Sequence, residues 1–319
     1  MHDNLEQPWT SDASCGNKSG VIGYLTTEQF LPELLEELKN VKSVHGSLVL
    51  ADGPLQTSVW AQNIWLNPEI ITFESISQAA KALKGLGKLW APYTFDNHRR
   101  AQLIQDQLPK LKSRVMDFLG PLPEDNLGAW TLIDKNTLVA SSKTNSPFPL
   151  GEVQFHEDKK NPPSRAYLKL WELFTVYGIR PKPGQKVVDF GSCPGGWTWV
   201  LQQMGCEVVS IDRAPLEPHI AKLPRVHFMK TNAFNVKPED IGAIDWFYSD
   251  IICYPEKLLE LVQSWQSSGL CANFVCTIKF QGKTDFATLK KFQSLENARI
   301  QHLRHNKHEV TVWIKTSSP

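Results

Sequence analysis

The sequence predicts a two-part chain: a smaller α+β domain over residues 21–140, then a doubly wound, mostly parallel α/β sheet over residues 164–319 whose final strand runs antiparallel. Three observations predict it. From Ser164 onward, strand-like runs (KVVDF, EVVSID, RVHFMKTN, IDWFYSD and CANFVCTIKF) alternate with helical stretches, the pattern of parallel strands joined by helical crossovers. The stretch Lys186 to Trp197, KVVDFGSCPGGW, leads from a short apolar strand through a glycine turn into a helix, which builds a ligand crevice at the strand's carboxyl end. The last two runs, RIQHLRHN and EVTVWIKT, have too short a link for a helical crossover and should pair antiparallel.

Taken in order, residues 1–20 are polar and are expected to be frayed. VIGYL reads as a strand, and TEQFLPELLEEL as a helix with Thr27 as its cap. SVHGSLVLA and TSVWAQNIWL are strand-like around the turn residues Asp52-Gly53-Pro54, and ISQAAKALKGLGKLW is helical. This β-α-β-β-α run suggests a ferredoxin-like arrangement. A helical stretch from Asn97 to Leu119 carries Arg99, Arg100, Lys110, Lys112 and Arg114. Those charges read either as a solvated helix face or as a phosphate-contacting patch. AWTLID and TLVASS flank a turn at Lys135-Asn136, and residues 141–163, rich in Ser, Pro, Lys and Asn, read as a linker. Ser164 is placed to cap the helix RAYLKLWELFTVYG that opens the second domain.

Composition excludes several classes. With 41% hydrophobic and 21% charged residues the chain reads as a globular protein, and its net charge of +1 gives no global basic field, so any nucleic-acid contact must use local patches. The six cysteines form no C-x-x-C pair, which gives a metal site no support and suggests a reducing compartment. The N-terminal residues lack the apolar core of a signal peptide, and no run has the apolar length of a membrane span, so the expected location is the cytoplasm.

In a parallel sheet the ligand meets the carboxyl ends of the strands. Gly191, Cys193, Pro194, Gly195, Gly196 and Trp197 form the turn after the first strand, where glycine lets backbone N–H groups approach a ligand at a helix N-terminus. Asp212 ends the second strand and can accept from a ribose diol; Asn232 ends the third and can meet an adenine edge. Asp250 ends the fourth, Lys279 nearly ends the fifth, Glu309 starts the last, and Lys169 lies in the helix before the first. Each has a plain explanation taken singly. Lys169 could pair with Glu172 at i+3, and Glu309 could guard an edge strand. Lys279, on the apolar strand FVCTIKF, needs a partner if buried.

The loop DFGSCPGGW resembles the glycine-rich loop of S-adenosylmethionine (SAM)-dependent methyltransferases of the FtsJ-like ribose 2′-O type, and the order Lys169, Asp250, Lys279, Glu309 resembles that family's K-D-K-E tetrad. NSPFPLG, PPSRAYLKLWELF and HEVTVWIK resemble the subgroup that methylates a cytidine 2′-hydroxyl in bacterial large-subunit ribosomal RNA. The resemblance runs from about Asn145 to Lys315 and is weak before that. It implies a Rossmann-like SAM-methyltransferase sheet, whose terminal hairpin a typical dinucleotide-binding sheet lacks. It implies SAM as cofactor, held by Gly191, Cys193, Pro194, Gly195, Gly196, Trp197, Asp212, Asn232 and Asp250; Asn232 stands where the family usually has Asp. It implies RNA as partner (large-subunit rRNA or an assembly precursor), no metal and no membrane. The family's ferredoxin-like region followed by a THUMP RNA-binding module is longer than the N-terminal stretch available here.

The implied catalytic residues are Lys169, Asp250, Lys279 and Glu309. A ribose hydroxyl is a poor nucleophile while protonated, and lysine with its ordinary pKa of about 10.4 cannot take the proton as an ammonium. Burial and a second cation, Lys169, should favour neutral Lys279 as general base, whereas Asp250 and Glu309 oppose that shift while orienting both lysines. Two other readings stay open: a non-catalytic RNA-binding or ribosome assembly factor that kept the fold, and a methyltransferase acting on a small molecule. The complete tetrad weighs against the first, and the N-terminal domain with its basic clusters against the second.

Overall fold

A computed structural model describes residues 20–315 of the chain, which divides into two compact units between His156 and Glu157. The expected frayed segment, residues 1–20, lies outside the described residues except for Gly20.

The first unit holds an antiparallel sheet and a mixed sheet with helices. In one, Val21–Leu25 lies between Leu48–Asp52 and Asn63–Leu66, all antiparallel, with Val41–His45 on one flank and Lys143–Thr144 on the other. Helix Leu31–Glu37 carries the chain from the first strand to Val41–His45. Residues 53–62 make the next crossover with no helix. Here the half-buried Glu37 carboxylate organises the loop, accepting from the Ser58 hydroxyl (2.8 Å) and from the N–H groups of Val59 and Trp60. Burial pushes that carboxyl up to about 6, against the pull of these donors. In the other sheet, Glu69–Thr72, Thr137–Ser141, Gly128–Leu132 and Trp90–Pro92 lie side by side. Helices Ile76–Leu86 and His98–Gln105 share a core with it through Ala80, Leu83, Ile104, Trp130 and Leu138.

Several expected boundaries differ here. Thr27 makes no side-chain cap, and the chain first takes a short 3-10 turn, Glu28–Phe30. Ser75 does cap its helix, accepting from the Gln78 N–H. The helix expected over 97–119 stops at Gln105. Pro109 has no N–H to continue the ladder, and the chain beyond it is irregular until Val115–Met116 pairs with Gln154–Phe155. Residues 143–144 and 154–155, read as part of a linker, are thus strands of the first unit.

The second unit opens with helix α1 (Tyr167–Val176), then β1 (Lys186–Phe190), α2 (Gly196–Gln203), β2 (Glu207–Asp212), α3 (Pro218–Ala221), β3 (Val226–Lys230), α4 (Pro238–Ile241), β4 (Trp246–Ser249), α5 (Pro255–Ser268) and β5 (Asn273–Lys279). Helix α6 (Phe286–Gln293), β6 (Ala298–Gln301) and β7 (Glu309–Lys315) complete it. The sheet order is β3-β2-β1-β4-β5-β7-β6, parallel from β3 to β5, with β7 antiparallel to both of its neighbours. Strand order reverses at β1, so the crevice opens where β1 and β4 part. Val187, Val188 and Phe190 are fully buried, as a strand covered on both faces requires.

Helix α1 is buried from Tyr167 to Thr175, Lys169 and Glu172 included. Ser164 is not its cap. Ala166 holds that position, and the Ser164 hydroxyl instead packs against Gly196, where an added Cβ would sit 2.7 Å away.

Candidate active site

The turn after β1 needs glycine for two physical reasons. Gly191 has φ +76° and lies so close to the β4 loop that a Cβ would stand 2.6 Å from the Ile251 Cα. Gly195 has φ +114°, and a Cβ there would meet Ile220 at 2.8 Å. The Asp212 carboxylate, ending β2, ties the turn in place by accepting from the Cys193 N–H (3.0 Å) and the Ala214 N–H (2.9 Å). Pro194 accepts from the Glu217 N–H through its carbonyl. Asn232, two residues beyond β3, accepts from the Phe234 N–H at 3.2 Å, leaving its amide group for other contacts. Trp197 points inward: its indole N–H donates to the Ala166 carbonyl, and its ring lies 5.9 Å from the Lys169 ammonium.

Two buried polar atoms at this turn lack a protein partner, Asp189 Oδ1 and the Ser192 hydroxyl. Asp189 is fully buried on β1 and accepts from the Thr198 hydroxyl (2.7 Å) through its other oxygen. Burial pushes its carboxyl up to about 7, with Thr198 opposing. A glycine cradle, carboxylates ending β1 and β2, and unmet polar atoms beside them fit a nucleoside cofactor carrying an amino-acid tail.

Across the crevice the structure brings the four remaining residues together. Lys169 donates to both oxygens of Asp250 (2.8 and 3.0 Å) and to Glu309 Oε1 (2.8 Å). Lys279 lies 3.1 Å from Asp250 Oδ1 and 4.0 Å from Glu309 Oε2. The antiparallel register makes this possible, because it sets the start of β7 beside the end of β5, Glu309 opposite Lys279. Burial would pull the Lys169 ammonium down, but Asp250 and Glu309 reverse this and hold it above the usual lysine range. Likewise burial would raise the Asp250 carboxyl, and the two lysines hold it below its ordinary value. The plain explanations fail for these residues: Lys169 pairs across the crevice rather than with Glu172, and β7 is an interior strand.

The sequence reading missed the roles of Glu172 and Asn306. Glu172, one turn beyond Lys169 on α1, accepts from the N–H groups of Arg304 (2.9 Å) and His305 (3.2 Å) and from the His305 ring (2.8 Å). Asn306 accepts from the Leu303 N–H (2.8 Å) and the Thr311 hydroxyl (3.2 Å), and its amide donates to Glu309 Oε1 (3.4 Å). The loop leading into Glu309 is therefore fastened to the same helix that presents Lys169. No spacing rule relates Glu172 to partners more than 130 residues away, and no local signal marks either residue.

A sheet with an antiparallel strand inserted beside β5, and a glycine-turn crevice after β1, define a SAM-dependent methyltransferase. The FtsJ-like methyltransferase family model matches residues 162–319. The ribosomal RNA large subunit methyltransferase M of Xanthomonas oryzae pv. oryzae is 30% identical over 251 residues, 74% of this chain and 68% of that protein. The protein of the same name from Halorhodospira halophila is 31% identical over 166 residues, 49% of this chain and 48% of that protein, about half its length. Among solved structures, the Methanococcus jannaschii fibrillarin pre-rRNA processing protein overlays with a TM-score of 0.36 at 17% identity, covering 46% of this chain and 74% of that one. The chain belongs to the FtsJ-like methyltransferase family. Among the described residues, no helix is long and apolar enough to cross a membrane.

Proposed function

We propose that this chain methylates a ribose 2′-hydroxyl of large-subunit ribosomal RNA, with a cytidine as target, in the cytoplasm. The observation that carries the chemistry is the cluster at the crevice in which each of two lysines lies within 4.0 Å of both carboxylates. The names of the relatives support the substrate. When bound, SAM supplies a methyl group already activated on a sulfonium. What remains for the protein is to orient the hydroxyl, remove its proton and keep water away.

The two lysines divide this work. Lys169 makes three short bonds to the carboxylates and has a side chain only 7% exposed, so it is the fixed cation of the cluster. Lys279 has looser contacts and an 18% exposed side chain open to the crevice. It is assigned the base role: in its neutral form its Nζ takes the hydroxyl proton as the oxygen attacks, and the resulting ammonium is met by Asp250 and Glu309. Gly191, Cys193, Pro194, Gly195, Gly196, Asp212, Asn232 and Asp250 are assigned to hold the cofactor, with Trp197 backing the turn from inside. The first unit is assigned to RNA docking through the exposed Arg99, Lys110 and Lys112.

The test is methyl transfer from tritiated SAM to large-subunit ribosomal RNA, alongside calorimetric SAM binding. Lys279→Ala should lower turnover by about 10² or more, the scale of a lost general base, with SAM affinity kept. Lys279→Arg should fail equally, because guanidinium keeps its proton. Near wild-type turnover in Lys279→Arg would exclude proton abstraction by this residue.

A further inference from the structure

Among the described residues, the large hydrophobic side chains exposed on the methyltransferase unit are Phe234, Ile252 and Tyr254, and each follows the carboxyl end of a sheet strand. A single exposed apolar residue means little. Ile252, at 79% exposed, and Tyr254, at 64%, are separated by one residue and sit on the loop that begins with Asp250. Phe234 follows β3, three strand spacings or about 14 Å from β4, and belongs to the cofactor side of the crevice.

The loop is fastened at both ends. Ile251 packs against Gly191 and donates its N–H to the Ser249 hydroxyl, while the Tyr254 carbonyl accepts from the Lys257 and Leu258 N–H groups to start α5. Between the two exposed side chains, Cys253 is half-buried, within reach of the Lys279 charge. A fixed loop thus presents an aromatic ring and a branched aliphatic side chain to water at the rim of the charged cluster. The described residues leave both side chains mostly uncovered.

We infer that Tyr254, flanked by Ile252, is the platform on which the base of the target nucleotide stacks, an inference that rests on the RNA methyl-transfer reading above. The cluster side chains are only 7–18% exposed, so a hydroxyl reaches Lys279 only if its nucleotide is drawn out of the surrounding stack. A base that leaves its stack loses two neighbours, and a ring at the rim replaces one. Stacking on an aromatic face tolerates any base, so Tyr254 supplies affinity and alignment and leaves base identity to other contacts. The side of Ile252 gives the ring's guest an apolar flank in place of water.

The experiment is steady-state methyl transfer by the full chain, with unmodified large-subunit ribosomal RNA transcribed in vitro and tritiated SAM. Tyr254→Ala should raise the KM for RNA about ten-fold, the scale of one lost base–aromatic stack, with SAM affinity unchanged. Tyr254→Phe keeps the ring and should keep the wild-type KM; Ile252→Ser should raise it by a smaller factor. An unchanged KM in Tyr254→Ala, or a fall confined to kcat, would overturn the platform. So would a wild-type dimer that Tyr254→Ala dissolves, because the patch would then serve a second copy. A wild-type protein that transfers no methyl group to RNA would bring down the underlying reading and the platform with it.

Discussion

Each unit carries a cluster of charge, and the two are built in opposite ways. In the first unit the basic residues are close in sequence, Arg99 to Arg114, yet the structure separates them. Arg100 donates to Asn136 (3.2 Å) and lies over the Phe73 ring at 5.4 Å, and Arg114, with a side chain 8% exposed, donates to the Pro147 carbonyl. Only Arg99, Lys110 and Lys112 of that set face water. In the second unit Lys169, Asp250, Lys279 and Glu309 are scattered over 140 residues, yet the sheet brings them within bonding distance. Charges adjacent in sequence dispersed into separate structural tasks. Charges at strand ends converged.

The sharpest way to break this contrast is to remove one member of the buried cluster. Asp250→Asn leaves two lysines facing one carboxylate, and Lys169→Met leaves two carboxylates facing one lysine. Breaking a buried pair costs about 3–5 kcal/mol, so the urea midpoint of either variant should fall well below that of the wild type. Asp250, held low, contributes stability above the ordinary carboxylate value of about 3.9 and loses it as pH falls through its folded value. Lys169, held high, contributes below the ordinary lysine value of about 10.4 and loses it as pH rises through its folded value. The destabilisation should therefore be largest between about pH 4 and 10, shrinking outside that window. A wild-type midpoint in Asp250→Asn would mean the four charges are not interlocked.

Asp189 sharpens the comparison, being a buried carboxylate that pairs with no cation among the described residues. Its raised value, about 7, gives the opposite sign to Asp250. The protonated form is the one folding favours, so its share of stability is complete below the ordinary value of 3.8 and is lost as pH climbs through about 7. In the cofactor-free protein, Asp189→Asn should gain thermal midpoint on the wild type as pH rises across that range. A gap between the two proteins that stays constant with pH would remove Asp189 as the titrating group.

The smallest effects belong to the first unit. Replacing Arg99, Lys110 and Lys112 by Gln should flatten the salt dependence of RNA binding, by up to about 0.9 in slope per phosphate contact, with stability within about 0.5 kcal/mol of the wild type. Arg100→Gln or Arg114→Gln should instead cost about 1 kcal/mol of stability through lost hydrogen bonds. If the hydrogen-bonded pair moved the salt slope and the exposed trio did not, the division drawn between them would be reversed.

What was legible in the sequence follows the range of the forces involved. Strands β1 to β5 and the crevice at their ends could be read because burial on both faces demands apolar runs and the glycine turn is local. The antiparallel end could be read from a short link. The stop of helix His98–Gln105 was misjudged because a run of good helix formers outweighed Pro109. The crossover over residues 53–62 was opaque because its order comes from Glu37, a residue of another element. Glu172 was opaque for the same reason: it is an ordinary polar residue until the far end of the chain reaches it.

The insertion of β7 between β5 and β6 ties the site to the order in which the chain folds. Lys169 and Glu309 are 140 residues apart, and contacts across so long a loop form after the local ones because the closure entropy must first be overcome. A molecule that has built only the parallel strands can already possess the glycine turn, Asp212 and Asp250, yet it has no Glu309 beside Lys279. Slotting in the interior strand is what arms the cluster. On the role proposed for Lys279 and its carboxylates, methyl transfer would report on a finished sheet, and a molecule arrested along the folding route would stay chemically silent.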